Sequence, residues 1–274
     1  MSVSSSMKDK VVGALTEEWR QIAGLMTPLS DAQWRQRSIL PGWSVQDIVA
    51  HIIGTESMLA GETAPPATRD LRDSDHVHND IAAMNEQWVD SMRDLSPEAV
   101  FQKFLTITSS RAKSLEQMTE EEFDAPSWTP AGQATYGRFM QIRVYDCWLH
   151  EQDIRDTLGL PGHDTGAPAD VAMDELSTAL GFIVGKKAGA PDGTTVTFEI
   201  SGGVARTFHV AVTGRAALVD RLDGPANVTL HMTSDQLFRL AGGRVDPDTL
   251  VDSLVIDGDG ELGRRIVSAL PFTI

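Results

Sequence analysis

The 274-residue sequence predicts an α+β protein in two parts: an antiparallel helical bundle over residues 1 to about 165, then a smaller α+β domain over 168–274. Three observations predict it. In the first half, apolar residues recur at the 3.6-residue spacing of amphipathic helices. The turns between those helices are short enough to join antiparallel neighbours. Beyond the Gly- and Pro-rich stretch LGLPGHDTGAPAD, the pattern changes to the strand-like runs TVTFEIS, TFHVAV and NVTLHM, as expected for a change of architecture. No internal repeat or low-complexity tract is present.

The elements follow in order. Val11, Val12, Leu15, Trp19, Ile22 and Met26 line one face of a helix from Lys8 to Met26. After the PGW turn, Ser44 reads as an N-cap with Asp47 three residues on, and Val45, Ile48, Ile52 and Leu59 form the inner face of the second helix. The polar loop ETAPPATRDLRDSD leads to a third helix marked by Val77, Ile81, Met84, Trp88 and Leu95. Ser96 and Pro97 open a fourth, as cap and first-turn proline. TEEEFDAPSWTPAGQATYG reads as a loop before the last bundle helix, which Gly159 and Pro161 end. In the second part, ADVAMDELSTALGFIVGKK reads as one helix. The first two strands are joined by the hairpin GGVAR, and SDQLFRLAGG, SLVI and ELGRRIVSAL read as helix, strand and closing helix.

Net charge is −16, from 39 acidic and 23 basic residues. Such a surface repels phosphate backbones, so nucleic acid and anionic membranes are not expected partners. One cysteine, Cys147, leaves no intramolecular disulfide and no multi-cysteine metal site, which fits a reducing cytoplasm. The opening MSVSSSMKDKVVGALTEEW lacks the apolar core of a signal peptide, and no run approaches the ~18 apolar residues of a membrane span. A cytoplasmic protein, monomeric or homodimeric, is expected.

Chemistry concentrates in RVYDCWLHEQDIRD, residues 143–156. On a helix, His150 falls about 40° from Asp146 and Asp153 about 20° to its other side, so all three share the face of Ile142 and Leu149. Glu151 and Arg155 point elsewhere and read as solvated. On the second helix, His51 flanks the stripe of Val45, Ile48 and Ile52. A carboxylate and an imidazole at i and i+4, joined by a histidine from a neighbouring helix, make a three-ligand site suited to Zn²⁺ or a similar divalent metal, with one position open. Spacing alone does not decide this. Chance supplies about one acid-x-x-x-His pair in such a composition, and the chain has two, so buried, hydrogen-bonded histidines or an ion pair on the helix surface remain the alternatives.

The stretches LSDAQW, PGWSVQDIVAHIIGTE and RVYDCWLHEQDIRDTLGLPG resemble the mycothiol-dependent maleylpyruvate isomerase family, within the DinB-like superfamily of metal-binding four-helix bundles. TSDQLFRLAGGRVDP and VIDGDGELGRRIVSALPF resemble that family's C-terminal domain, which is similar to sterol carrier proteins. The resemblance implies a DinB-like bundle over 1–165, a sterol-carrier-like domain over 168–274 and an actinobacterial source. It implies a divalent metal, usually zinc, held by His51, Asp146 and His150, with aspartate standing where the characterised isomerase has glutamate. It implies mycothiol as thiol cosubstrate, transferred or reversibly added to a small electrophile, and it places Arg244 in catalysis. Asp153 would orient an imidazole or a substrate group. Asn79 and Asn85, at the start of the third helix, would line the mouth through which mycothiol reaches the metal. A mycothiol S-transferase and a maleylpyruvate cis–trans isomerase proper both fit, and a non-catalytic small-molecule or lipid-binding protein is the reading of another class.

Other motifs carry less. GDGELG follows a strand and opens a helix, but the chain ends too soon for a dinucleotide-binding βαβ unit. Cys147 reads as packing, His76 and His78 as loop residues, Trp19 and Trp88 as core or interface aromatics, and Trp148 as an interface aromatic.

Overall fold

The computed structural model describes residues 6–67 and 69–273. The opening MSVSS, Thr68 of the polar loop and the last residue lie outside the described residues, and with them the first part of the leader reading and the outermost limits of both domains. The chain divides into two compact units, one ending at His163 and one spanning Asp164–Thr273.

The first unit is helical. Its elements are α1 (Met7–Met26), α2 (Asp31–Trp34), α3 (Val45–Leu59), α4 (Asp80–Asp90), α5 (Pro97–Gln117), α6 (Glu120–Phe123), the strands β1 (Pro126–Thr129) and β2 (Gly132–Thr135), and α7 (Tyr136–Leu158). Four long helices form the bundle: α1 packs on α5 and α7, and α3 packs on the same two. Leu15 and Ile22 of α1, Ile48 and Ile52 of α3, Phe104 and Leu115 of α5, and Met140 and Val144 of α7 are fully buried between them. Each such side chain contributes about 1.5–3 kcal/mol.

Side-chain caps fix where these helices start. Ser6, Ser44, Ser96 and Thr135 each accept a hydrogen bond from the backbone N–H three residues on, and Ser44 and Asp47 form a reciprocal capping box. Such a cap is worth about 1 kcal/mol. Asn79 caps α4 in the same way, so Val77 and Leu95 flank that helix rather than belong to it. The stretch read as a loop before α7 contains α6, started by a Thr119–Glu122 capping box, and the hairpin of β1 and β2, which turns at Gly132 with φ +100°. Four-residue strands are too short to show a period in sequence.

The second unit contains α8 (Ala167–Ser177), α9 (Leu180–Phe182) continuing into a π-turn at Ile183–Lys187, β3 (Thr195–Ser201), β4 (Arg206–Thr213), β5 (Arg215–Val219), β6 (Val228–Thr233), α10 (Ser234–Ala241), α11 (Pro247–Leu250), β7 (Val255–Gly258) and α12 (Gly260–Ala269). The sheet order is β5-β4-β3-β6-β7, with β3 and β6 parallel and the other pairs antiparallel. Val196, Phe198 and Ile200 are buried, with Glu199 half-exposed and Ser201 exposed between and beyond them, and they lie in register with Val228, Leu230 and Met232. The sheet thus buries one face, against α10 and α12.

Two details differ from the sequence reading. β5 is an edge strand whose RAALV lacks clear alternation. The single helix read over ADVAMDELSTALGFIVGKK breaks after Ser177. The continuation lies against β5, where a Cβ on Gly181 would come within 2.9 Å of the Ala216 carbonyl oxygen and one on Gly185 within 2.6 Å of the Ala216 Cβ.

Gly54 of α3 lets α4 approach closely, since a Cβ there would lie 2.4 Å from the Cβ of Trp88. Gly54→Ala should lower stability by up to about 2 kcal/mol, because overpacking of about 1–3 kcal/mol is offset only by a propensity gain of about 1. Gly24→Ala, at an exposed position of α1 with open space around it, should raise stability by about 0.5–1 kcal/mol. Urea unfolding of the two variants checks both signs.

Candidate metal centre

The PGWS turn sets the entry to α3. Gly42 takes φ +79°, and a Cβ there would lie 2.3 Å from Nδ1 of His76. Trp43 follows, and its indole N–H donates to Oε2 of Glu86 on α4 at 3.0 Å. The Ser44–Asp47 box then starts the helix, and two turns on His51 points toward α7. Its ring centroid lies 5.4 Å from that of Trp43 and 5.0 Å from that of His150, and Trp43 also lies 6.1 Å from His150.

His51, Asp146 and His150 come together between α3 and α7. Nε2 of His51 is 3.2 Å from Oδ2 of Asp146, Nε2 of His150 is 3.7 Å from Oδ1, and the three ligating atoms lie within 4.8 Å of one another. Nδ1 of His150 is 2.9 Å from Oδ2 of Asp153, a fully buried carboxylate. That contact keeps the His150 proton on Nδ1 and leaves the Nε2 lone pair aimed at Asp146. Both imidazoles are buried, while the Asp146 side chain is 29% exposed and marks the side open to solvent. Burial lowers the pKa of His51 despite the opposing pull of Asp146 and so keeps the ring neutral. Burial alone would raise Asp146, but the Arg143 guanidinium, with His51 and His150, outweighs it and holds the carboxyl well below the ordinary range. Two imidazoles and one ionised carboxylate, convergent and pre-oriented, are a donor set that fits a divalent metal. Nδ1 of His51 is buried without a protein partner.

A buried ion network adjoins the cluster. Glu56 of α3 accepts from Nε of Arg111 at 3.0 Å and Nε of Arg143 at 2.8 Å. Nη1 of Arg143 reaches Oδ2 of Asp146, and Nη2 lies 3.4 Å from the Cys147 sulfur. Sequence reasoning missed Arg143, although it falls about 60° from Asp146 on the helical wheel and so on the same face. It also missed Glu56, Trp43 and Glu86, which no spacing marks. Cys147 is buried, and burial pushes its thiol pKa up, so it is a packing residue.

The remaining expectations fall as follows. Glu151 is not solvated: it is fully buried, bonded by Arg155 at 2.7 Å and by His163 at 3.0 Å, because α1 packs over that face of α7. Arg155 itself is mostly buried. Trp148 is buried in the first unit and donates to the His163 carbonyl. His76 pairs with Glu86 at 3.0 Å, and His78 is exposed. Asn79 spends its side-chain oxygen on the N–H of Ala82 as the α4 cap, and Asn85 is half-exposed on the same helix. Arg244 belongs to the second unit, half-exposed after α10, with Nη1 donating to the Gly242 carbonyl. The structure therefore gathers His51, Asp146, His150 and Asp153.

Two family profiles match this chain: the mycothiol maleylpyruvate isomerase N-terminal domain over residues 15–155 and the MDMPI C-terminal domain over 170–265. Among solved structures, it is similar to the mycothiol-dependent maleylpyruvate isomerase, with a TM-score of 0.58 at 15% identity over 88% of this chain and 93% of that one. A histidine-to-alanine mutant described under the same name gives 0.58 and 15% over 93% and 96%. No curated protein matches.

Glu86 holds Trp43 over the imidazoles. Burial alone would raise its pKa, but hydrogen bonds from His76, Trp43 and Arg93 outweigh this and lower it. A carboxyl with a depressed folded pKa contributes stability that is full above its unfolded value, about 4.3, and is lost as pH falls through the folded value. Glu86→Gln should therefore lower stability at pH 7 and flatten the loss of stability below about pH 4.3. Chemical denaturation of both proteins from pH 7 to pH 3 measures it.

Proposed function

The chain belongs to the mycothiol maleylpyruvate isomerase family, and on that premise we propose that it is a metal-dependent enzyme with mycothiol as thiol cosubstrate and a small electrophile as acceptor. The observation that carries this reading is the convergence of His51, Asp146 and His150 within 4.8 Å, with Asp153 holding the His150 tautomer. A zinc or similar divalent ion bound there supplies a Lewis acid that favours the thiolate over the thiol.

The protein's own groups do the rest. His51 and His150 present ring nitrogens, and Asp146 brings the negative charge that makes the donor set selective for a cation. Arg143, tied to Glu56, takes up one Asp146 oxygen and fixes the carboxylate's rotation. Trp43 walls the two imidazoles on one side, so the thiol enters where Asp146 is exposed. The thiolate forms a C–S bond to an activated double bond, whose π pair shifts onto the activating carbonyl, or displaces a leaving group that departs with the bonding pair. Asn79 and Asn85 are proposed to hold the sugar and inositol of mycothiol; for Asn79 only the amide nitrogen is available, since its oxygen caps α4. Arg244 is proposed to bind the acceptor or the cosubstrate. A cytoplasmic site of action follows from the thiol.

Isomerisation proper is the second reading, favoured by the printed name of the solved structures of similar fold. In it, addition of the thiolate makes the double bond single, rotation follows, and elimination of the thiolate restores the double bond as trans. Turnover of maleylpyruvate without net consumption of mycothiol separates this from transfer, in which thiol is consumed. A protein that binds an apolar ligand without catalysis would show neither.

Protein purified without a metal-chelating tag should carry a divalent metal that His150→Ala loses together with thiol transfer. Asp153→Asn should keep the fold and weaken that metal's affinity about 10–100-fold, as measured by chelator competition. Arg244→Ala should leave metal content intact and lower kcat/KM, and wild-type kinetics would remove Arg244 from the reaction.

A further inference from the structure

A second group of ligating side chains lies on another face of α7. Glu18 of α1, Glu151 of α7 and His163, just beyond α7, each place a ligating atom within 4.8 Å of the other two. Glu151 is adjacent to His150 in sequence but about 100° further around the helix, so the two groups of ligands do not share a side chain.

The elements hold these groups in place. The His163 backbone is clamped to α7: its N–H donates to Oε1 of Gln152 at 2.9 Å, and its carbonyl accepts from Trp148 Nε1 at 3.0 Å and Gln152 Nε2 at 3.1 Å. Its Nδ1 lies 3.0 Å from Oε2 of Glu151. The other Glu151 oxygen accepts from Nε of Arg155 at 2.8 Å, which fixes that carboxylate's rotation. Glu18 differs from the others. It is 0% exposed, and neither carboxyl oxygen meets a donor, the Glu151 carboxylate being its hydrogen-bonding neighbour. A buried carboxyl left unpaired is costly, and here it faces a second carboxylate, which is also an acceptor. Either a shared proton or a bound cation must stand between them.

We propose that it is a cation, a divalent transition-metal ion held by Glu18, Glu151 and His163 as a structural site separate from the first. Two carboxylate oxygens and one imidazole suit Zn²⁺ or Mn²⁺ rather than Ca²⁺, which takes oxygen ligands alone. Tetrahedral ligands about 2.1 Å from zinc stand roughly 3.4 Å apart, a spacing that small rotamer shifts reach from the observed one. Arg155 acts on the far oxygen of Glu151 as an outer-shell donor. The ion would join the first bundle helix, the last bundle helix and the segment that leaves it.

Metal-stripped protein titrated with Zn²⁺, followed by gel filtration and elemental analysis, tests the site. Wild type should retain two equivalents. Glu18→Gln, which preserves shape, and His163→Ala, at a partly exposed residue, should each retain one, and the thermal midpoint of each should respond less to chelator than that of wild type. His150→Ala should also retain one, and its double variant with Glu18→Gln none. Loss of an equivalent in Glu18→Gln but not in His150→Ala would support this site and sink the first. Wild-type stoichiometry in both Glu18→Gln and His163→Ala, or a single wild-type equivalent that His150→Ala abolishes, overturns the proposal and leaves a shared proton between the two carboxyls.

Discussion

The Arg143 guanidinium, held between Glu56 and Asp146, is the contact on which the rest of the site depends. It is almost fully buried, and so is Glu56. Taking two such charges out of water costs several kcal/mol each before pairing, so an apolar pair of similar size would serve stability as well. What the ion pair adds is geometry. Glu56 sits on α3 and Arg143 on α7, so their bond sets those two helices in register. The same guanidinium then fixes the Asp146 carboxylate that faces both imidazoles. Arg111 bonds the other Glu56 oxygen and ties α5 into the same register, so three of the four bundle helices meet through one carboxylate.

Polar groups inside a bundle persist only when their neighbours satisfy them, and here each imidazole has its own support. His150 is steadied by Asp153, one turn along its own helix. His51 is steadied across the bundle by Asp146 and beneath by Trp43, whose indole is tied to Glu86. Glu86 in turn gathers Arg69, Arg93 and His76, so α4 and the loop before it hold the site's wall although neither supplies a candidate ligand. Gly54 belongs to this arrangement because it lets Trp88 of α4 approach α3 closely.

The division of labour within α7 follows from its burial on several sides. One face presents Asp146, His150 and Asp153 to α3, another presents Glu151 to α1, and a third sends Trp148 to the segment after the helix. A helix covered this way has no single apolar stripe. Its polar residues are therefore not markers of solvent, and for that reason the reading of Glu151 as solvated failed.

The sequence by itself determined the elements that rest on local chemistry. Capping residues at Ser44 and Ser96, the apolar stripes of α1 and α3, the change of period after residue 165 and the GGVAR hairpin act within a few residues, so they are written in order along the chain. The common face of Asp146, His150 and Asp153 is local too, since helical geometry alone sets it. Only the tertiary structure decided which helix faces which. That choice brought His51 to Asp146 across 95 positions, put Arg143 against Glu56, buried Glu151 against α1 and carried Glu86 to Trp43. Those contacts depend on how side chains from distant segments fill one volume, and neither period nor spacing records it. The short hairpin before α7 and the edge strand β5 escaped for the complementary reason. Their pairing partners, not their residues, make them strands.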